Sequence, residues 1–186
     1  MKKIGLMLVI LLTGVFMVTG CGKNEYLSGK VNVEIEVEDY GTIALELDAD
    51  EAPITVTNFV DLVEEGFYDG LTFHRIIDGF MIQGGDPNGD GTGGSSRTIK
   101  GEFSSNGVDN SIDHVRGVIS MARSSLPNSA SSQFFIVQQD SPHLNGEYAA
   151  FGHVTSGMEI VDEICEDVQM VRFFQKINQL LRQLRL

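Results

Sequence analysis

The segment FHRIIDGFMIQGGDP, residues 73–87, decides the fold of this chain. It predicts two short strands, over residues 72–77 and 80–83, separated by a polar turn that contains glycine. Further short strands, again between glycine-rich or polar loops, are predicted over 118–122, 134–137 and 149–154. Many short strands with turn signals between them indicate a β-sandwich or a barrel.

The residues before this segment predict a hairpin and a helix. Apolar and polar side chains alternate over 31–37 and again over 43–47, so we expect a β-hairpin with one buried face. From Pro53 the apolar spacing becomes helical, and Gly66 stands just past the predicted end of the helix. A second short helix is predicted over 158–164. With 186 residues, the chain has room for one compact domain.

More segments follow in a fixed order, namely GTGG at 91–94, MAR at 121–123, SQFFI at 132–136 and HLNG at 143–146, before FG at 151–152. Together with residues 73–87, these segments resemble the cyclophilin-type peptidyl-prolyl cis-trans isomerases over about residues 31–167. The resemblance implies a mainly β domain at 31–168, a closed eight-stranded antiparallel barrel capped by two helices. It also implies an enzyme that needs no cofactor and accelerates rotation about the X-Pro bonds of proline-containing polypeptides.

The chemistry of this rotation indicates which side chain is needed. The reaction passes through a twisted amide, with a barrier of about 18 to 20 kcal/mol. As conjugation breaks, the prolyl nitrogen recovers its lone pair, so a cationic donor beside it binds the transition state better than the ground state. By the resemblance, Arg75 is that donor and Gln83 orients the substrate carbonyl and supports the arginine. Phe80 completes the catalytic set, at the wall of the proline pocket.

The resemblance also implies which residues bind the substrate. Met81, Phe135 and Leu144 match positions that line the apolar proline pocket. Such a pocket excludes water and so disfavours the planar amide, which is more dipolar than the twisted one.

Neighbouring positions are assigned in the same way. Gly91 matches a glycine beside the pocket for residues that precede the proline. The backbone around Ala122 and Arg123 is expected to hold the peptide as an extended chain. The chain departs from many members of the family where His143 replaces a tryptophan and Tyr148 replaces a pocket histidine. We expect both residues to contact the substrate, and the lost indole N–H argues against tight cyclosporin binding.

Each assignment also has a simpler interpretation. Arg75 alone could be a surface charge, and the aromatic residues could be ordinary core, so the site rests on their joint spacing. If the groove binds peptides without catalysis, the chain is a peptide-binding or holdase module; a surface adhesin is a third alternative. An enzyme needs Arg75, Gln83 and Phe135 in one pocket, whereas a holdase could lose Arg75 without effect.

Residues 1–20 predict a lipoprotein signal peptide. Two lysines precede an apolar run over 4–18, which is shorter than the roughly 20 residues needed to cross a bilayer. The ending VTGC resembles the bacterial lipobox, which implies cleavage before Cys21 and lipid on its sulfur. Residues 21–30 would then form a lipidated tether, with the domain at the extracytoplasmic face of the cell membrane, where it acts on exported proteins. The alternative is an ordinary secretory signal in which Cys21 is incidental.

The composition argues against several partners. The formal charge of −13 repels nucleic-acid phosphates, and 21 glycines argue against an all-helical fold. Asp86, Asn88 and Asp90 match the start of a calcium loop, but Arg97 stands where the bidentate glutamate is required, so we expect no metal site. We expect a monomer in which Cys165 is a small buried apolar group.

Residues 169–186 depart most from the resemblance, because cyclophilins usually end with a strand that pairs into the barrel. Apolar residues over 173–184 recur at helical spacing and the charged residues there are all basic, which predicts a basic amphipathic helix over 171–186. One interpretation places this helix on an anionic membrane. The other is that the natural ending was replaced, which would leave the barrel without its closing strand.

Overall fold

The computed structural model describes residues 26–167 and 171–177. Its elements are β1 (Lys30–Val37), β2 (Gly41–Asp48), α1 (Pro53–Glu64), β3 (Leu71–Phe73), β4 (Arg75–Ile77), β5 (Met81–Gly84), β6 (Val118–Met121), β7 (Phe134–Val137), β8 (Ala150–Ser156), α2 (Met158–Asp167) and β9 (Val171–Ile177). The predicted signal peptide, Cys21 and the first part of the tether lie outside the described residues. Within the described ranges, neither helix is long and apolar enough to cross a membrane.

The predicted hairpin and first helix are confirmed. β1 pairs antiparallel with β2, and its side chains alternate strictly between exposed and buried. Helix α1 begins at Pro53, and Gly66 beyond its end has a φ of +69°, a left-handed conformation that favours glycine. The buried carboxylate of Glu102 caps this helix, because it accepts the N–H groups of Ile54 at 3.0 Å and Thr55 at 2.7 Å.

The strands form one nine-stranded sheet in the order β3-β9-β1-β2-β8-β6-β7-β5-β4. The mainly β architecture with two helices is as predicted, but the closed barrel is not confirmed, since this sheet has β3 and β4 at its two edges. The single strand predicted over 72–77 is wrong, because the chain is divided at His74. β3 pairs with β9 whereas β4 pairs with β5, so the two halves of this segment belong to opposite edges.

The helix predicted over 171–186 is wrong for residues 171–177, which form β9. This strand pairs with β1 from Val37 opposite Phe173 to Val33 opposite Ile177, and with β3 on its other side. The backbone groups of β1 and β3 need a partner, and satisfying them outweighs the helical periodicity of the sequence. The notion of a missing strand at this point is therefore also wrong, and residues 178–186 lie outside the described part.

Strands β6 and β7 are buried on both faces, and β5 is buried except at the half-buried Gln83, so two different clusters lie back to back. Phe134 and Ile136 of β7 and Ile82 of β5 face the main hydrophobic core, which we call the core face. Phe135 and Val137 of β7 point the other way, as Met81 does, into a smaller cluster on what we call the outer face. The candidate site lies on the outer face.

Candidate active site

One row of residues crosses four strands of the outer face. Arg75 of β4 is opposite Gln83 of β5, Gln83 is opposite Phe135 of β7, and Phe135 is opposite Ser120 of β6. Directly opposed residues in antiparallel strands project to the same side of a sheet. The register therefore brings together the three residues on which the choice between an enzyme and a holdase depends, although they are far apart in the chain.

Arg75 is exposed at the edge of the sheet, and the outer face supports its guanidinium. Its Nη1 donates to the side-chain oxygen of Gln83 at 3.3 Å and lies 3.9 Å from the sulfur of Met81. Gln83 thus contacts the arginine, and its role toward a substrate stays a prediction. A cation that is positioned but still exposed can donate to an incoming ligand.

Gln133 continues this polar network toward Gly91. The amide of Gln83 donates to the side-chain oxygen of Gln133 at 2.8 Å, and the amide of Gln133 donates to the carbonyls of Gly91 at 3.2 Å and Gly93 at 2.7 Å. Gly91 has a φ of +90°, a region that glycine tolerates best. Gly91, predicted to flank the site, is therefore connected to Arg75 through two glutamines.

Asp86 holds the loop that carries Gly91. Its carboxylate accepts the backbone N–H groups of Asn88 at 2.8 Å, Gly91 at 2.5 Å and Asp90 at 3.2 Å. Burial raises the pKa of Asp86, but these backbone hydrogen bonds outweigh burial and hold its pKa below the usual value. The carboxylate serves its own loop, and no group of acidic, histidine or cysteine side chains among the described residues is placed to hold a metal ion.

An apolar surface lies beside the polar row. Its buried members are Met81, Val118, Phe135, Val137, Leu144 and Ala150, and the half-buried side chains of Phe80, Ile112, Ala122 and Tyr148 pack against them. The predicted pocket residues therefore form one cluster that is separate from the main core. A partly exposed apolar surface next to a positioned cation suits a proline ring attached to a polar backbone.

The aromatic rings of this surface have defined contacts. The ring of Tyr148 meets that of Phe135 edge-on, with centroids 5.9 Å apart and planes at 85°. The exposed His143 lies against Phe80, with ring centroids 5.6 Å apart. Both residues that depart from the usual family pattern are thus placed beside predicted pocket residues.

His114 contributes to the site, although none of the motifs identified in the sequence assigned a role to it. Its ring is buried and stacks on Phe135 at 6.1 Å and 18°. Its Nε2 lies 3.0 Å from the hydroxyl of Ser120, and its Nδ1 lies 3.1 Å from the side-chain oxygen of Asn145. Burial lowers the pKa of His114, which favours the neutral ring at neutral pH. Without the register, no signal marked His114 as the support of Phe135.

Ala122 and Arg123 border the same surface. The N–H of Ala122 donates to the carbonyl of Gln133 at 2.9 Å, so this amide is used within the protein. The side chain of Arg123 lies over the ring of Tyr148, with 4.7 Å between the guanidinium carbon and the ring centroid. Gln133 lies in the SQFFI motif at 132–136, but the sequence assigned no role to it or to the Arg123 side chain.

The chain is similar in sequence to known proteins. The model of the family described as "cyclophilin type peptidyl-prolyl cis-trans isomerase/CLD" matches residues 32–179. Peptidyl-prolyl cis-trans isomerase B of Bacillus subtilis (strain 168) is 51% identical over 123 residues, which cover 66% of this chain and 82% of that protein. A peptidyl-prolyl cis-trans isomerase of Helicobacter pylori is 49% identical over 126 residues, covering 67% of this chain and 74% of that protein.

Solved structures show the same similarity. The crystal structure of a cyclophilin type peptidyl-prolyl cis-trans isomerase from Cryptosporidium parvum matches with a TM-score of 0.73 at 32% identity, covering 81% of this chain and 98% of that chain. A structure of that enzyme obtained in the presence of the dipeptide ala-pro matches with a TM-score of 0.71 at 34% identity, covering 79% of this chain and 98% of that chain.

The chain therefore belongs to the cyclophilin-type peptidyl-prolyl cis-trans isomerase family. It is a peptidyl-prolyl cis-trans isomerase, and the predicted enzymatic function is confirmed; the holdase alternative is not favoured. The individual roles of the site residues stay predictions.

Proposed function

We propose that isomerisation takes place on the outer face, with the proline ring on the cluster around Phe135 and the prolyl nitrogen near the Arg75 guanidinium. The register supports this proposal most directly, because it aligns Arg75, Gln83 and Phe135 in one row. The dipeptide ala-pro, in whose presence a structure of the Cryptosporidium parvum enzyme was obtained, belongs to the chemical class that this surface suits.

In this proposal Arg75 acts on the reacting atom. Its N–H donates to the lone pair that the prolyl nitrogen recovers as the amide twists, an interaction that the planar amide does not offer. A hydrogen bond to a charged group contributes about 1.5 to 3 kcal/mol, which corresponds to roughly ten- to a hundredfold in rate. The barrier is about 18 to 20 kcal/mol, so Arg75 supplies only part of the acceleration.

The neighbours of Arg75 supply further parts. Gln83 holds Nη1 of Arg75 at 3.3 Å, which limits the positions that the guanidinium must search before it donates. The apolar cluster excludes water from the bound amide. Because the planar amide is more dipolar than the twisted one, the loss of water destabilises the starting state more than the transition state. Phe80, Met81 and Leu144 belong to that cluster.

Replacement of Arg75 tests this assignment. We expect Arg75→Ala to lower kcat/KM for a short Ala-Pro peptide by roughly ten- to a hundredfold, with little change in the urea midpoint because the side chain is exposed. Arg75→Lys keeps the charge but loses the planar set of N–H donors of the guanidinium, so it should recover only part of the rate. Arg97→Ala is the matched control, because it removes an arginine whose side chain is hydrogen-bonded to helix α1 and not to the outer face. Equal kcat/KM in Arg75→Ala and the wild type would rule out the proposed donor.

We also propose that the enzyme is a lipid-anchored monomer that folds exported proteins at the extracytoplasmic face of the membrane. Support comes from the sequence alone, through the apolar run and the VTGC ending at Cys21. In a bacterial host fed labelled palmitate, the wild-type chain should take up label and fractionate with membranes, and Cys21→Ser should do neither. Label retained by Cys21→Ser would contradict the anchor.

A further inference from the structure

We infer that the side chain of Arg123 is a positioning residue that fixes the ring of Tyr148 against Phe135 and thereby sets the shape of the proline pocket. The inference rests on the proposed substrate site. It assigns to Arg123 a role other than the backbone contact with an extended peptide that the sequence implied.

The guanidinium of Arg123 lies between two aromatic rings. Its central carbon is 5.0 Å from the ring centroid of Phe103 and 4.7 Å from that of Tyr148. Arginine stacks on aromatic faces through both its charge and its plane. Only 12% of the side chain is exposed, so the arginine is a packed part of the protein and not a free surface cation.

Hydrogen bonds fix the guanidinium in this position. Nε and Nη2 donate to the carbonyl of Glu147 at 2.9 and 2.8 Å, and Nη1 donates to the carbonyl of Ser124 at 2.9 Å. The Glu147 carboxylate lies 3.4 Å from Nη2. All three nitrogen atoms are thus engaged in a planar arrangement that a lysine cannot reproduce.

Phe103 provides the fixed side of the stack. Its side chain is 2% exposed, and the N–H of Ser105 donates to the carbonyl of Gly146 at 2.9 Å, which joins this loop to the loop that carries Tyr148. Tyr148 is half-buried and borders the proposed pocket. The arginine therefore holds the less buried ring against the more buried one.

Tyr148 transmits this constraint to the pocket. Its ring meets that of Phe135 edge-on at 5.9 Å, and the ring of His114 stacks on Phe135 at 6.1 Å. Loss of Arg123 would release one of the two supports of Phe135 and leave Arg75 and Gln83 in place. We therefore expect substrate binding to weaken more than the chemical step does.

The test separates kcat from KM in the full chain with an Ala-Pro peptide. In Arg123→Met, which keeps an apolar stem over the rings, KM should rise by about two- to fivefold or more, since a cation–π contact and the hydrogen bonds that fix it are lost, while kcat changes less than KM. Arg123→Lys should resemble Arg123→Met, because it restores the charge without the planar hydrogen bonds. Arg97→Met, which loses an arginine bonded to Asn58 and Asp61, should leave KM unchanged.

A double variant decides whether Arg123 acts through Tyr148. If it does, Arg123→Met should add little to the KM of Tyr148→Leu, since the ring that it positions is already absent. Full additivity of the two changes, or a wild-type KM in Arg123→Met, would overturn the inference. Should Arg123→Met fold poorly, a wild-type KM in the milder Arg123→Lys would overturn it equally. These outcomes leave the proposed role of Arg75 untouched, because that role is read from the Arg75 variants.

Discussion

Phe134 and Phe135 are adjacent in the chain but lie on opposite faces of the same strand, where they pack in two different clusters. Phe134 is completely buried and meets Phe59 at 5.4 Å and Tyr68 at 5.7 Å, both edge-on. Phe135 packs in the smaller outer cluster, against His114 and the half-buried Tyr148. One strand thus contributes to the main core on one face and to the proposed substrate site on the other.

The core face and the outer face differ in the surroundings of their polar groups. On the core face the hydroxyl of Tyr68 donates to the carbonyl of Ser132 at 2.9 Å inside a large apolar cluster. On the outer face hydrogen-bonded polar side chains extend from the exposed Arg75 through Gln83 to Gln133 beside the apolar surface. We therefore expect changes on the core face to alter unfolding and changes on the outer face to alter catalysis.

Truncation of the two phenylalanines should break the comparison most strongly. Phe134→Ala leaves a cavity among three aromatic rings, and we expect a loss of about 3 to 5 kcal/mol in the free energy of unfolding. Phe135→Ala should cost less stability but lower kcat/KM more than Phe134→Ala does in its folded fraction. Urea unfolding and peptide isomerisation, measured on both variants, provide the check. Equal losses in both assays would show that the faces are not separable.

The helix that covers the core face offers a second test. Glu102→Ala removes the carboxylate that accepts two N–H groups at the start of α1, and we expect a loss of about 1 to 2 kcal/mol in the free energy of unfolding. KM for the Ala-Pro peptide should not change. Glu51→Ala is the matched control, because Glu51 also accepts two hydrogen bonds, from Ser111, but at an exposed site. A cost in Glu51→Ala as large as in Glu102→Ala would remove the special role of the helix cap.

Protonation of His114 should make the stability of the protein depend on pH. Burial lowers its pKa in the folded state, so the unfolded chain binds more protons below the ordinary histidine pKa of about 6.5. Stability should therefore decline as the pH falls from about 6.5 toward the lowered pKa of the folded state. Asp86, whose pKa is also lowered, adds a separate loss at still lower pH, below the ordinary aspartate value of about 3.9.

Unfolding in urea between pH 7.5 and 5 measures the histidine effect. His114→Gln should flatten the pH dependence in this window, although His74, whose pKa burial also lowers, retains its own share. Asp113 and His143 are the charged or titratable groups that act on His114, so variants should preserve both. An unchanged slope in His114→Gln would show that His114 does not titrate differently in the folded and unfolded chains.

The smallest effect is expected at Cys165 of helix α2, which belongs to the main hydrophobic core. Burial raises the pKa of this thiol to about 11, so little thiolate exists at neutral pH. In a Cys21→Ser chain, where Cys165 is the remaining cysteine, a thiol reagent at pH 7.5 should modify the protein only at the rate of unfolding. Mass spectrometry with and without urea measures this, and rapid modification of the folded chain would contradict the burial.

Much of the fold was predictable because local patterns agreed with the final structure. The alternation over β1 and the helical spacing from Pro53 each describe a face that becomes buried. The strand predicted over 72–77 was wrong at His74, where the chain passes from one edge of the sheet to the other. The local sequence pattern does not show this break, because it depends on the distant strands with which β3 and β4 pair. The helix predicted over 171–186 was wrong for residues 171–177, because the strands with which these residues pair, β1 and β3, lie about a hundred or more positions earlier in the chain.

The candidate site divides in a similar way. The resemblance assigned Arg75, Gln83 and Phe135, and the structure places them in one row. His114 and the side chain of Arg123 remained unrecognised, because their importance comes from the rings against which they lie. A stacking partner across the fold cannot be read from the spacing of residues along the chain.

By itself the sequence determined the family, the isomerase activity and the identity of most candidate site residues. These follow from short motifs that stand in this chain in the same order as in the family. Only the tertiary structure decided which strands pair, that β9 lies between β1 and β3, and that Phe134 and Phe135 serve different faces. The physical reason is that motifs are local, whereas strand register and ring contacts depend on the free energy of satisfying the whole sheet at once.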